Sequence, residues 1–132
     1  MKKYTITLNE RQLVLISHCL EDCHRFLSGD LELFHTTSVL NNSYNIKERL
    51  QELHSLVVPE LHYNYGQHTS YSWSGGDCPN KIQKQKIAET YYLYREILHQ
   101  LNVNAPDWNV YKSETLRCED SGDCIEIKEI KQ

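Results

Sequence analysis

The sequence predicts an α+β domain, about three main helices packed on a small antiparallel sheet, and three observations lead there. Polar and apolar residues alternate near both ends of the chain, at Tyr4-Thr5-Ile6-Thr7-Leu8 and at Ile125-Glu126-Ile127-Lys128, as on half-buried strands. Between those ends, three stretches repeat apolar residues at helical spacing. The last alternation follows Glu119-Asp120-Ser121-Gly122-Asp123, a turn composition that makes residues 110–128 read as a hairpin. A lone hairpin is marginal in water, so the N-terminal strand is expected to join its sheet. At 132 residues the chain fits one domain, residues 1–132.

The elements follow in order. Tyr4, Ile6 and Leu8 should face the helices, with Thr5 and Thr7 facing away. Asn9 offers an N-cap and Gln12 completes a capping box, so a helix should run to Ser28-Gly29, with Gly29 as its left-handed end. Leu13, Ile16, Leu20, Cys23 and Leu27 mark its apolar stripe, widened by Leu15, Cys19 and Phe26. Residues 31–42 fit either a helical turn or an extended piece. Asn45 with Glu48 repeats the capping-box pattern, and Ile46, Leu50, Leu53 and Val57 give a second helix that Pro59 should stop. Residues 61–80 have no period. The third helix spans about 81–102, with Ile87, Tyr91, Tyr94, Leu98 and Leu101 on its buried face and Leu93 and Ile97 beside them.

Composition limits the function. The net charge is −4, which argues against general nucleic-acid binding. No run of about 18 apolar residues indicates a membrane span, and Met1-Lys2-Lys3-Tyr4-Thr5 does not open a signal peptide. Five cysteines without a secretory signal read as reduced thiols in a cytoplasm.

Metal chemistry finds little support. Cys19 and Cys23 share a helix face, but His18 and His24 point well away from them at about 100° per residue. The two thiols fall inside the apolar arc and are expected to be buried and metal-free. Cys118 and Cys124 flank the expected hairpin turn without zinc-knuckle spacing. Cys78 with His62 or His68 has no supporting motif, Ser72 and Ser74 lack a nucleophile elbow, and neither H-E-x-x-H nor a P-loop occurs. No catalytic residue, metal or cofactor is assigned.

The most suggestive feature is the aperiodic segment with four aromatics, Tyr63, Tyr65, Tyr71 and Trp73, leading through Gly75-Gly76-Asp77-Cys78-Pro79-Asn80 into Lys81, Lys84 and Lys86. Asp77 or Cys78 would cap the third helix, with Pro79 at its first position. Cations at a helix N-terminus oppose its dipole. An anionic ligand would relieve that repulsion, held by free N–H groups and a close glycine approach, with aromatic rings to stack on a base. The candidate ligand-binding residues are therefore His68, Tyr71, Trp73, Gly75, Gly76, Lys81 and Lys84. The alternative is that the lysines simply point to water.

The opening Ile6-Thr7-Leu8-Asn9-Glu10-Arg11-Gln12-Leu13, with Arg25-Phe26-Leu27-Ser28-Gly29 and the ending Trp108-Asn109-Val110-Tyr111, resembles small uncharacterised proteins of phages and prophages. The likeness covers the two ends of the chain and supplies no catalytic residues. It implies an accessory protein of a mobile element working in the host cytoplasm, such as an inhibitor that sequesters a nucleotide immune signal.

Taken together, the expected function is non-enzymatic binding of a small anionic ligand, with a nucleotide as the leading case. A protein-interaction module that inhibits a host protein is the first alternative, using the same Tyr and Trp side chains as anchors. A small nucleotide hydrolase or metal-dependent enzyme is the second. Homo-oligomerisation is left open.

Overall fold

The computed structural model describes residues 1–40, 45–63, 70–102 and 114–131. Its elements are α1 (Glu10–Ser28), α2 (Phe34–Val39), α3 (Ile46–Leu61), α4 (Lys81–Asn102) and a 3₁₀ turn at Glu119–Ser121. No helix among the described residues is long and apolar enough to cross a membrane.

Helix α1 starts and stops where local chemistry says it should. Asn9 Oδ1 accepts from the Gln12 N–H at 2.9 Å, and Gln12 Oε1 accepts from the Asn9 N–H at 2.9 Å, closing the capping box. Gly29 ends the helix at φ 106°, a left-handed conformation that lets the Asp30 N–H reach the Arg25 carbonyl at 2.8 Å. Helix α3 begins after Asn45 without a side-chain cap and carries Pro59 inside its last turn, ending at Leu61. Pro59 therefore does not stop it, and the His62 N–H still closes on the Val58 carbonyl at 2.8 Å. The cap of α4 is Asn80, whose Oδ1 accepts from the N–H groups of Ile82 and Gln83, both at 3.1 Å. Asp77 and Cys78 lie too far upstream for that role.

Helices α1 and α4 pack together and form the centre of the molecule. Helix α4 brings the bulk: Ile87, Ala88, Tyr92, Tyr94, Ile97 and Leu98 are all buried. One side chain gathers three elements. Gln83 Nε2 donates to Leu27 O at 2.8 Å and to Leu61 O at 2.7 Å, satisfying carbonyls in the last turns of α1 and α3 that have no helical partner.

The expected sheet is absent: the described residues contain helices, turns and irregular chain but no strand, so the α+β expectation is corrected to a helical fold. The N-terminal segment forms no strand with any described residue, and Tyr4 is 84% and Ile6 73% exposed. At the other end, residues 110–113 of the expected hairpin lie outside the described residues. Over 125–128 the alternation is real, with Ile125 and Ile127 half-buried and Glu126 and Lys128 exposed. Side chains, not a ladder, hold that segment. The Ile125 N–H donates to the Tyr92 hydroxyl at 3.4 Å, and Arg117 donates to the Gly122 carbonyl while its guanidinium lies 5.6 Å from the Tyr92 ring centre. Alternation describes a two-faced extended segment and does not specify a neighbouring edge.

The second correction concerns the face that α1 buries. Its buried residues are Ser17, Glu21, Asp22, His24 and Ser28. Leu15 is 64% and Ile16 37% exposed, and Cys19 and Cys23 are exposed as well. The thiols expected in the core are outside it, and His24, expected on the solvent side, is inside. Each of these five residues has a partner, although the buried Arg25 Nε beside them has none among the described residues. Ser17 and Ser28 donate into their own helix, to the Val14 and His24 carbonyls, both at 2.8 Å. His24 Nδ1 donates to the Ile87 carbonyl of α4 at 2.8 Å. Small hydroxyl side chains let two helices approach closely, and paired polar groups avoid the cost of unpaired burial.

Candidate functional site

The loop singled out by sequence is built as a brace. The Tyr71 N–H donates to the Ser28 carbonyl at 2.9 Å, its ring stacks on His62 with centroids 4.0 Å apart, and it is buried with Cys78 and Ile87. Trp73 lies against Tyr91, 5.4 Å between centroids. Since Tyr91 is ten residues beyond Lys81, that contact sits about 15 Å along α4 from the helix start. Gly75 and Gly76 both have positive φ, and a Cβ on Gly75 would meet Lys84 Cγ at 2.6 Å. Gly75 therefore permits a close approach, and what approaches it is α4 itself.

The lysines are distributed. Lys84 Nζ lies 3.7 Å from Asp120 and Lys86 Nζ 2.9 Å from Glu89. Lys81 is exposed, with no ion pair to an acid among the described residues. The amides at the helix start are engaged by Asn80. Asp77, held below the usual carboxylate range by a hydrogen bond from the Tyr63 hydroxyl, adds a negative charge nearby. The structure thus brings Gly75 to Lys84 and Tyr71 to Ile87. Tyr71 is buried, Trp73 lies against Tyr91 and Lys81 is exposed at the start of α4, and His68 lies outside the described residues.

A polar cluster that sequence reasoning missed joins α1 to α2. The Asp22 carboxylate accepts from the N–H groups of His35 (2.9 Å) and Thr36 (2.7 Å) and from the Thr36 hydroxyl (2.6 Å), capping α2 from a distance. Burial alone would raise the Asp22 pKa, but these hydrogen bonds outweigh it and hold the carboxyl low. Glu21 pairs with His35 and with Arg25, 3.3 Å away. The His18 and His35 rings stack 3.9 Å apart. Burial, then the neighbouring His35, lowers the His18 pKa. Glu21, Arg25, Glu32, Phe34 and His35 border a cavity of about 300 Å³. A larger one, about 680 Å³, lies between α2 and α3, with Lys47, Gln51 and His54 on one wall and Asp30 and Glu32 on another. No cluster of three metal-ligating residues occurs among the described residues.

One surface that packing does not explain is the outer face of α1, where Leu15 is 64% and Ile16 37% exposed. At about 100° per residue, Leu15, Ile16, Cys19 and Cys23 span an arc of roughly 100° centred opposite Ser17, Glu21, His24 and Ser28. The polar arc of Ser17, Glu21, His24 and Ser28 faces inward, while the apolar stripe is split: Leu13, Leu20, Phe26 and Leu27 are half-buried, Leu27 against the core, and Leu15, Ile16, Cys19 and Cys23 are exposed. No protein-family model matches the chain, and no curated protein or solved structure does either.

Proposed function

We propose that the chain is a non-enzymatic protein-interaction module whose working surface is the outer face of α1. The exposed part of that helix's apolar stripe, Leu15, Ile16, Cys19 and Cys23, carries the reading. Large exposed apolar patches mark interaction sites on soluble proteins, and here the patch is a regular helical arc with no charged residue in it. Its chemistry fits a partner that presents an uncharged apolar helix or groove, the mode in which an amphipathic helix is bound along its apolar side.

The test is dye binding combined with charge insertion. The native protein should enhance the fluorescence of anilinonaphthalene sulfonate, and Leu15→Asp and Ile16→Asp should each remove most of that signal without lowering Tm by more than a few degrees. A fall in Tm above ~10 °C for Leu15→Asp would mean the side chain packs inside, and the proposal would fail.

A second reading keeps the small anionic ligand at the start of α4. Its support is Lys81, a cation in the first turn with no acid paired to it among the described residues. Titration calorimetry with inorganic phosphate and with mono-, di- and cyclic nucleotides tests it. Heat lost in Lys81→Ala supports it, and no heat from any phosphate-bearing ligand removes it.

A further inference from the structure

We infer that the partner for the outer face of α1 is a second copy of this chain, the two α1 helices meeting antiparallel about a twofold axis near Cys19. The inference rests on the interaction-module reading and adds the identity of the partner. Three observations carry it.

The first is spacing. Ile16, Cys19, Cys23 and Phe26 follow one another at intervals of three, four and three residues, the a/d rhythm of a two-helix seam. Gln12 extends the seam by one turn toward the N-terminus. Of these, Ile16, Cys19 and Cys23 are exposed and Phe26 is half-buried. Leu13, Leu20 and Leu27, all half-buried, form one shoulder and Leu15 the other, so the face is a continuous stripe.

The second is charge. The molecule carries a net charge of −4, so most surfaces of two copies repel. The seam holds no charged side chain, and Asp22 on its border is committed to the amides of α2. Two copies can therefore meet here without opposing like charges. Partner recognition through charge complementarity has nothing to act on.

The third is symmetry and extent. Read antiparallel about Cys19, Gln12 lies level with Phe26, Ile16 falls within one residue of Cys23, and Cys19 meets Cys19 of the other copy, so the spacing of the seam, though not its side chains, is close to symmetric. An isologous pairing needs this self-complementarity, and antiparallel helices align their dipoles favourably. The 19 residues of α1 give a face about 28 Å long and ~10 Å wide. Covering it removes on the order of 500 Å² per copy, or roughly 1,000 Å² for the pair, at the lower edge of specific interfaces. An interface at that lower edge is expected to form reversibly.

Sedimentation equilibrium of the full chain from micromolar to millimolar concentration tests this. The mass should double across that range, and Ile16→Asp should move the midpoint at least tenfold higher. Leu15→Asp, at a more exposed position, serves if Ile16→Asp does not fold. Oxidation with copper phenanthroline, mapped by mass spectrometry, should link Cys19 to Cys19. A parallel pairing would also link Cys23 to Cys23, and that product would overturn the antiparallel arrangement. A dimer indifferent to Ile16→Asp and Leu15→Asp would place the interface elsewhere and overturn the inference. A chain that stays monomeric throughout overturns it too. In that case, loss of dye binding in Leu15→Asp shows that the interaction-module reading stands with another partner, whereas unchanged dye binding removes both.

Discussion

Truncating the apolar side of α1 should cost little, and enlarging its polar side should cost a great deal. A Leu fully buried in a core contributes about 1.5–3 kcal/mol through burial, and Leu→Ala in a core costs ~2–5 kcal/mol once the cavity is included. Leu15 is 64% exposed, so about a third of that burial is at stake and no closed cavity forms. Leu15→Ala should lower stability by about 0.5–1 kcal/mol. Ser17 is 0% exposed and lies on the side of α1 packed against α4. Ser17→Leu adds two heavy atoms where there is no room, and overpacking of that kind costs ~1–3 kcal/mol or more. A helix with its apolar stripe inward gives the opposite order. Urea unfolding of both variants, measured below the concentration at which the chain self-associates, decides between them. A loss above ~2 kcal/mol for Leu15→Ala together with a neutral Ser17→Leu would refute the reasoning.

Three further outcomes follow from the packing. Burial lowers the pKa of His24 from its ordinary value of 6.5, and His18 shifts the same way. The folded state thus binds fewer protons than the unfolded state below that value, and stability present above pH 6.5 should fall as pH drops toward 5; His24→Asn should flatten this slope in pH-dependent unfolding. Gly75→Ala should destabilise clearly more than Gly122→Ala. Both glycines have positive φ, but a Cβ on Gly75 meets Lys84, with its carbonyl oxygen at 3.0 Å, whereas a Cβ on Gly122 meets nothing within 4 Å; equal Tm losses would contradict the tight approach of the loop to α4. Asn80→Ala should cost about 1 kcal/mol as the loss of an N-cap, and Asp77→Ala much less. The reverse order in thermal melts would return the cap to Asp77.

Local chemistry was the legible part of this sequence. The Asn9/Gln12 box, the Gly29 terminus and the span of α4 each depend on residues within one or two turns of each other, and the structure has all three. The sheet was misread because alternation at 4–8 and 125–128 records faces and says nothing about pairing. The buried side of α1 was misread for a different reason. Ser17, Glu21, Asp22 and His24 look like solvent residues until their partners are known, and those partners are remote: the Ile87 carbonyl is 63 residues from His24, and the amide of His35 is 13 from Asp22. Helical periodicity located the apolar stripe of α1 and could not say that only Leu13, Leu20, Phe26 and Leu27 of it would be half-buried while Ser17, Glu21 and His24 were buried. In the candidate loop, the glycines and lysines drew attention for good reasons. The close approach that Gly75 allows is to Lys84, and an acid sits opposite two of the three lysines, which no local pattern encodes.

The thiols report directly on which side of α1 faces the core. Native protein at low micromolar concentration is labelled with N-ethylmaleimide, and each cysteine is followed by mass spectrometry. Cys19 should react near the rate of an unfolded thiol. Cys23, whose thiol pKa is raised by partial burial, should follow more slowly, and Cys78, buried against Tyr71 and Ile87, should wait for unfolding. If Cys19 and Cys23 are instead protected as strongly as Cys78 in the monomer, the apolar arc of α1 faces inward and the account is wrong.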